Sequence, residues 1–401
     1  MLFTLILTFF LDNIGLFMVL PIYAPLLLDP NSTLLAPGVP EEWRTILIGS
    51  LVAIYGVGQL FGGPILGELS DQFGRKKILL SGLACLMVGN LFATYSLTTH
   101  QLWGLFVGRL LTGFASGNWS VIFATVTDIA PQEIRRKIYL GYLTGAAALG
   151  AIAGPLVGAY LSNPQFVPWF SYATPFLLMS IVFVINFLLV LFVVQETALR
   201  HRRRLQWFTG LTNISDCFKM PMINIMLMAF FFFSMSSESI FAGLPIFVVE
   251  KFNSSSQFIG DVIAVGSFVS AFTSFYLNKK LSQRFSTEKI LFVSLTILCL
   301  AYLSFFIPSI ADGLFVCYSL FGLSVILVWT HANALITKKV PDKIRGKVLG
   351  VNQSLCSLAI IIGPFLIGVG AAAHYNLPIG IAAISGIIAL CLYGRVLHRL
   401  Q

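Results

Sequence analysis

Charged residues are scarce in this chain. Only 10% of its 401 residues are Asp, Glu, Lys or Arg, whereas a soluble domain carries about a quarter. Hydrophobic residues make up 57%, and the mean hydropathy is +0.89. Apolar stretches of about 20 residues, long enough to cross a bilayer as helices, recur along the whole length. The composition excludes a soluble globular protein and predicts an all-α polytopic membrane protein.

Paired cysteines and catalytic motifs are also lacking. The six cysteines are scattered without paired spacing, so we interpret them as small core residues rather than disulfides or metal ligands. No HExxH, Walker loop, nucleotide fingerprint or nucleophile elbow is present. We therefore expect no enzyme, cofactor or metal site, and a proton gradient would have to supply any energy. The N-terminus lacks the basic region and cleavage site of a signal peptide, so the first apolar run is predicted to be a retained span.

Twelve apolar segments are predicted to span the membrane. In chain order they are spans 1 to 12, at roughly 2–25, 46–67, 78–98, 101–127, 138–161, 170–194, 222–249, 257–278, 289–308, 312–337, 347–371 and 377–397. The even number places both termini on one side. The polar, basic stretch 196–221 is predicted to be a linker between an N-terminal six-helix bundle (1–195) and a C-terminal one (222–401).

The net charge of +9 is distributed unevenly. Basic residues cluster in alternate loops, whereas the opposite loops hold only Arg44 and Lys251. The positive-inside rule then predicts that both termini and the 196–221 linker are cytoplasmic. We expect the membrane to be a bacterial inner (plasma) membrane. A pI of 9.3 also fits nucleic-acid binding, but topology accounts for the charge and no nucleic-acid partner is expected.

The two halves repeat one another. Four matches occur in the same order: SDQFGRKKIL (70–79) with SQRFSTEKIL (282–291), PQEIRRK (131–137) with PDKIRGK (341–347), Gly154-Pro155 with Gly363-Pro364, and Pro21 with Pro245. Duplicated six-helix halves joined by a cytoplasmic loop are typical of transporters, in which the substrate site lies between the halves and opens alternately to each side.

Four segments resemble motifs of the major facilitator superfamily. The loop GELSDQFGRKK (67–77) is similar to its signature between helices 2 and 3, with Gln72 in place of a basic residue. LDNIGLFMVLPIYAP (11–25), GRLLTGFASG (108–117) and GAIAGPLVG (150–158) resemble helix 1, 4 and 5 patterns of its twelve-helix drug:proton antiporters, which include tetracycline exporters. The resemblance covers nearly the whole chain. It implies a monomeric transporter in the lipid bilayer that couples protons to a small-molecule substrate.

Two charged residues of the first half are predicted to lie within the membrane. A carboxylate at the position of Asp12, in mid-span, costs about 2.5–3.5 kcal/mol and indicates function; the alternative is a solvated helix end. Arg109 needs a partner there, and we expect Asp12 to provide it. Separating such a pair would bind or release a proton. A purely structural ion pair is the alternative.

The loop signature is predicted to act as a conformational latch. We expect an Asp71–Arg75–Asp128 network to hold the cytoplasmic helix ends together in the outward-facing state. A solvated charged loop, with pairs contributing about 0–1 kcal/mol, is the alternative. The remaining signature residues assigned to this latch are Gly67, Gly74 and Lys76.

A glycine row is predicted to form a packing face on span 5. Gly150, Gly154 and Gly158 recur every four residues, which lets two helix backbones approach closely, and Pro155 can bend the helix. We expect this packing to limit leakage between the two halves.

In the second half, Glu238 lies in mid-span 7 and is predicted to face a cavity. There it would attract cations if ionised or serve as a second proton site if protonated. The residues predicted to line the substrate cavity are Ser116, Trp119, Ser236, Trp329, His331 and Asn333. For His331, hydrogen-bonded packing is the favoured alternative to a proton carrier.

Taken together, these features predict proton-coupled efflux of a small organic solute by antiport. One alternative is proton-coupled uptake of a nutrient or siderophore-like solute, because fold does not fix direction. Another is a sensor that no longer transports. The intact Asp12, Arg109 and Asp71 argue against the sensor.

Overall fold

A computed structural model describes residues 1–130, 132–197 and 219–398, and these ranges contain helices and no strands. The helices of the first half are Leu2–Phe17 and Leu20–Leu28 (span 1), Glu41–Phe73 (span 2), Arg75–Thr98 (span 3), Trp103–Ala115 and Asn118–Ile129 (span 4), Glu133–Leu161 (span 5) and Thr174–Val193 (span 6).

The second half follows the same plan. Its helices are Pro221–Phe252 (span 7), Ser256–Phe272 and Asn278–Arg284 joined by the π-helical turn Thr273–Leu277 (span 8), Thr287–Ser304 (span 9), Gly313–Lys339 (span 10), Asp342–Ala373 (span 11) and Leu377–His398 (span 12). Several of these helices extend beyond the predicted apolar segments, because polar residues at the ends continue the helix.

Eleven helical segments of the described residues are long and apolar enough to cross a membrane. The remaining predicted span, span 4, is divided at Ser116 and Gly117 into two shorter helices. The Ser116 amide still donates to the carbonyls of Thr112 and Gly113, at 3.0 and 3.2 Å, so the break is a tight irregular turn rather than a helix end. With this pair counted as one span, the predicted twelve-helix fold is confirmed.

The chain divides into two compact units. One comprises Met1–Pro40 and Leu51–Trp207, and the other comprises Glu41–Ser50 and Phe208–Gln401. The start of span 2 thus groups with the second unit. Most of the predicted linker, 198–218, lies outside the described residues, and the predicted domain boundaries stay a prediction.

Span 5 packs against span 1 inside the first unit through the glycine row. A Cβ atom added to Gly150 would lie 2.6 Å from the Asn13 Cβ, and one added to Gly158 would overlap the Met18 carbonyl. Only glycine permits so close an approach. Because both helices belong to the first unit, this contact lies within one half and not, as expected, between the halves.

Span 11 meets span 7 in the second unit in the same way. A Cβ on Gly363, the counterpart of Gly154, would lie 3.1 Å from the Met235 carbonyl oxygen and 3.1 Å from the Ser239 hydroxyl. The repeat detected in the sequence is therefore also a repeat of helix contacts within each unit.

Candidate functional site

Asp12 is buried in the first unit and bonds to no residue that the structure describes. Its side chain lies on Leu2–Phe17 and the residue is 6% exposed. Neither carboxyl oxygen has a hydrogen-bond partner among the described residues. Buried polar groups are normally paired, so an exception of this kind requires an explanation.

A small cavity adjoins Asp12. Its volume is about 10 Å³, close to the minimum that holds one water molecule. Both Ser116 and Trp119, predicted to line the substrate cavity, contribute to its wall. The Ser116 hydroxyl donates to the Gly113 carbonyl at 2.6 Å, whereas the Trp119 indole nitrogen has no described partner. Asp12 therefore lines a confined cavity with a mainly apolar wall and a few polar side chains.

Arg109 is held by aromatic rings instead of by Asp12. The residue is 4% exposed, and its guanidinium carbon lies 4.4 Å from the Tyr55 ring centroid and 6.0 Å from that of Tyr23. A cation over an aromatic face is attracted by the ring quadrupole, most strongly when desolvated. The expected Asp12–Arg109 ion pair is not formed in this structure, since both carboxyl oxygens lack partners.

Asn90 and Thr112 are near both charged residues. Both side chains line the cavity beside Asp12 and also a second small cavity beside Arg109. The Asn90 amide donates to the Leu86 carbonyl at 2.8 Å, and the Thr112 hydroxyl donates to the Gly108 carbonyl at 2.9 Å. Bonding to their own helices fixes these two polar side chains beside both cavities.

Sequence reasoning did not identify Asn90, Tyr23 or Tyr55 as site residues. A lone amide in an apolar span is a detectable signal, and Asn90 could have been found by the argument applied to Asp12. The two tyrosines carry no such signal, because aromatic residues make up 13% of the chain.

Arg75 is the centre of the charged network in the first unit. Its guanidinium pairs with Asp71 at 2.5 Å and with Asp128 at 3.2 Å, and it donates to the Ser70 hydroxyl at 2.6 Å. The three predicted charged residues are therefore in contact. Lys76 makes no ion pair with a described residue.

Glu196, just beyond the end of span 6, adds a contact that the sequence did not indicate. Its carboxylate accepts a hydrogen bond from the Arg75 backbone amide at 2.7 Å, at the start of span 3. Gly74 has φ +106°, and a Cβ there would collide with the Glu196 carboxylate. Asp128 also accepts from the Thr197 hydroxyl at 3.3 Å. The network thus joins spans 2, 3, 4 and 6 of one unit.

Gly67 provides a further close approach in this region. A Cβ at this position would lie 3.1 Å from the Ser120 hydroxyl of span 4. Spans 2 and 4 therefore pack tightly just before the charged network begins.

In the second unit, Glu238 lies within a run of buried serines. It has no hydrogen bond or ion pair with a described residue, and it is close enough to Tyr318 and Cys356 to interact electrostatically with them. The Tyr318 hydroxyl is buried without a described partner. The neighbouring Ser236 is fully buried, and its hydroxyl is hydrogen-bonded to that of Tyr302.

The predicted cavity residues of span 10 make different contacts. The Trp329 ring packs on Phe230, with 5.3 Å between centroids, and is 39% exposed. His331 is buried, and its Nε2 is hydrogen-bonded to the Asn278 amide oxygen at 3.0 Å.

Asn333 bridges spans 10 and 11. Its amide oxygen accepts from the Asn352 amide at 3.3 Å, and its own amide donates to the Trp329 carbonyl at 2.9 Å. The contacts of His331 and Asn333 therefore hold helices together, and Trp329 is the one span 10 candidate with substantial exposure.

Comparison with known proteins identifies the family. A model described as Major Facilitator Superfamily matches residues 2–364 and 226–400. The chain belongs to the Major Facilitator Superfamily. It is 26% identical over 381 residues to the class C tetracycline resistance protein of Escherichia coli, covering 94% of this chain and 91% of that protein. It is 27% identical over 368 residues to the class H tetracycline resistance protein of Pasteurella multocida, covering 89% and 85%.

A solved structure shares the superfamily fold. The crystal structure of a bacterial homolog to the human lysosomal transporter Spinster aligns with a TM-score of 0.77 and 13% identity, covering 99% of this chain and 96% of that one. Membership of the superfamily makes this chain a multi-pass membrane transporter of a small molecule and not an enzyme. The predicted resemblance to tetracycline exporters is confirmed by the two relatives.

Proposed function

We propose that this transporter exports a small organic solute in exchange for protons. The observation that carries the proposal is Asp12, a buried carboxyl group with no hydrogen-bond partner among the described residues. In a low-dielectric site a neutral carboxyl is favoured over an unpaired carboxylate. A proton is therefore a natural ligand of this group.

Arg109 would control the release of that proton. An approaching cation favours the ionised form of a carboxyl, and Arg109 is now held on the Tyr55 ring, with Asn90 and Thr112 lining the space on both sides. A helix movement that brings the guanidinium to Asp12 would expel the proton. A movement that restores the tyrosine contact would allow a new proton to bind. Alternation between these contacts would couple protonation to conformation.

The charged network around Arg75 would limit the rate of this conformational change. Its contacts join the ends of four spans in the first unit. We infer that the network stabilises the outward-facing state by keeping these ends together. Both termini and the 196–221 linker would be cytoplasmic in an inner membrane, because the basic loops alternate with loops that hold only Arg44 and Lys251.

The relatives named as tetracycline resistance proteins suggest a drug-like substrate. Glu238 and the partly exposed Trp329 of the second unit fit an aromatic or cationic solute, since such solutes gain from a carboxylate and from ring contacts.

Transport in proteoliposomes with an imposed pH gradient tests the proposal. Vesicles with an acidic interior are given a panel of cationic, neutral and anionic compounds, with a tetracycline included. Antiport predicts that at least one compound accumulates inside and that a protonophore abolishes accumulation. Vesicles that accumulate a compound only when the exterior is acidic would instead establish symport. Failure of the whole panel to move in either direction, with the correctly folded protein, would contradict proton-coupled transport of such solutes.

A further inference from the structure

A large groove lies in the second unit, and its lining includes none of the residues assigned above. Its volume is about 870 Å³, within the range of about 300–1,000 Å³ typical of small-molecule sites. Apolar side chains from spans 8, 9, 10 and 12 make up most of its wall, among them Phe285, Ile297, Leu323 and Leu397. Such a surface fits a hydrocarbon ligand.

Cationic side chains lie at one part of this groove. Lys289 and Lys339 both line it, and neither forms an ion pair with a described residue. The acidic Glu288 also lines it; its carboxylate is paired with Lys338 at 3.3 Å and interacts electrostatically with Lys339. The groove therefore combines an apolar wall with two cations that lack an ion-pair partner in the described part of the chain.

We propose that the groove binds an anionic phospholipid, with its acyl chains on the apolar wall and its phosphate on Lys289 and Lys339. Basic pockets between membrane helices on the cytoplasmic side recognise anionic headgroups in this way. The exposure of Phe285 (51%), Phe292 (45%) and Val293 (54%) leaves apolar surface for lipid chains to cover. The assignment of an anionic headgroup depends on the charges of Lys289 and Lys339. Only the choice of the cytoplasmic leaflet rests on the proposed orientation of the protein in the membrane.

Native mass spectrometry of the purified full-length protein tests this site. The protein is titrated with phosphatidylglycerol and, separately, with phosphatidylcholine of the same acyl chains. We expect tighter binding of phosphatidylglycerol. The double variant Lys289→Gln/Lys339→Gln should lose roughly 25-fold in phosphatidylglycerol affinity, because each lysine near a headgroup contributes about fivefold. It should bind phosphatidylcholine as before.

Two further variants separate the charged and apolar parts of the site. Lys279→Gln removes the same charge from an exposed residue outside the groove and should leave both affinities unchanged. Gly394→Leu adds a side chain where no atom lies within 4 Å of the new Cβ. Because the new side chain fills part of the groove, it should lower the affinity for both lipids. Inorganic phosphate at millimolar concentration should not displace the lipid.

Three results would overturn the proposal. Equal affinity of the unmodified protein for the two lipids would show that the groove does not recognise an anionic headgroup. An effect of Lys279→Gln as large as that of the double variant would show a general charge effect. Displacement of phosphatidylglycerol by inorganic phosphate would show that the lysines form a general phosphate site and not a lipid site. A size-exclusion profile matching that of the unmodified protein confirms that each variant remains folded.

Discussion

Asp12 and Ser236 lie at matched sequence positions in the two units, but they differ in whether their side-chain oxygens are hydrogen-bonded. Each lies nine residues before the matched prolines Pro21 and Pro245. Ser236 is fully buried and its hydroxyl is paired with that of Tyr302. Asp12 is also buried, yet both of its carboxyl oxygens lack a described partner. A buried polar residue that only stabilises the fold is normally paired, so the difference supports the proposal that Asp12 is functional and that Ser236 is structural.

The matched loops after spans 2 and 8 differ in a similar way. In the first unit Asp71 and Arg75 are joined to Asp128. In the second unit the corresponding positions hold Gln283 and Thr287, which cannot form that ion pair. The Asp71–Arg75 ion pair therefore has no counterpart at the matched positions of the second unit. We test this asymmetry with the following variants, in order of expected effect.

Replacement of Asp12 by Asn should have the largest effect. The amide has nearly the same size but cannot bind and release a proton in the relevant pH range, so accumulation driven by a pH gradient should fall to the background of empty vesicles. Substrate exchange without a gradient should persist. Proteoliposome uptake measures both, with Ser236→Ala as the matched control in the other unit. Full gradient-driven accumulation by Asp12→Asn would show that the unpaired carboxyl is not the coupling group.

Arg75→Ala should slow turnover without changing which substrates bind. The side chain makes two charge-assisted pairs, and loss of their stabilisation, about 1.4 kcal/mol, corresponds to roughly tenfold in rate. The control is Thr287→Ala at the matched position of the second unit, which should transport normally. Cysteine accessibility on the two faces reports the conformational balance. Unchanged accessibility in Arg75→Ala would exclude the latch.

Glu238→Gln should weaken the binding of cationic substrates by about fivefold and spare neutral ones, if the carboxylate is ionised, since a partly exposed charge contributes about 1 kcal/mol. If Glu238 carries a proton, affinity should instead stay constant while the pH dependence of transport shifts. Binding titrations at several pH values distinguish the two, with Ser237→Ala as the control. If neither property changes, Glu238 is structural.

Ser236→Ala should have the smallest effect on transport and a measurable one on stability. It leaves the buried Tyr302 hydroxyl without its partner, which costs about 1–3 kcal/mol. Thermal unfolding in detergent should shift downward while gradient-driven uptake stays normal. A loss of uptake in a stable Ser236→Ala protein would contradict the structural assignment.

The sequence predicted the spans because hydropathy depends on local composition. It did not predict the interruption of span 4 at Ser116 and Gly117, where the backbone departs from a helix within an apolar run. The loop signature, together with the position of Asp128 at the end of span 4, correctly predicted that Asp71, Arg75 and Asp128 are in contact. Their contact with Glu196 could not be foreseen, because the Glu196 and Arg75 positions are 121 residues apart and no motif connects them.

The expected Asp12–Arg109 pair shows the limit of reasoning from charge alone. A buried cation requires a partner, but that partner need not be a carboxylate such as Asp12. Here Tyr55 provides a ring face at 4.4 Å. The rotation of each helix about its axis decides between a carboxylate and a ring, and that rotation follows from packing, such as the approach of Gly150 to span 1.

The central claim, that Asp12 exchanges a proton for substrate, is tested most directly by proton release. A substrate identified in the proteoliposome panel is added to the purified protein in weakly buffered detergent solution containing a pH indicator. The account predicts that the unmodified protein releases a proton for each molecule bound and that Asp12→Asn binds the substrate without release. Equal proton release by Asp12→Asn and the unmodified protein would contradict it.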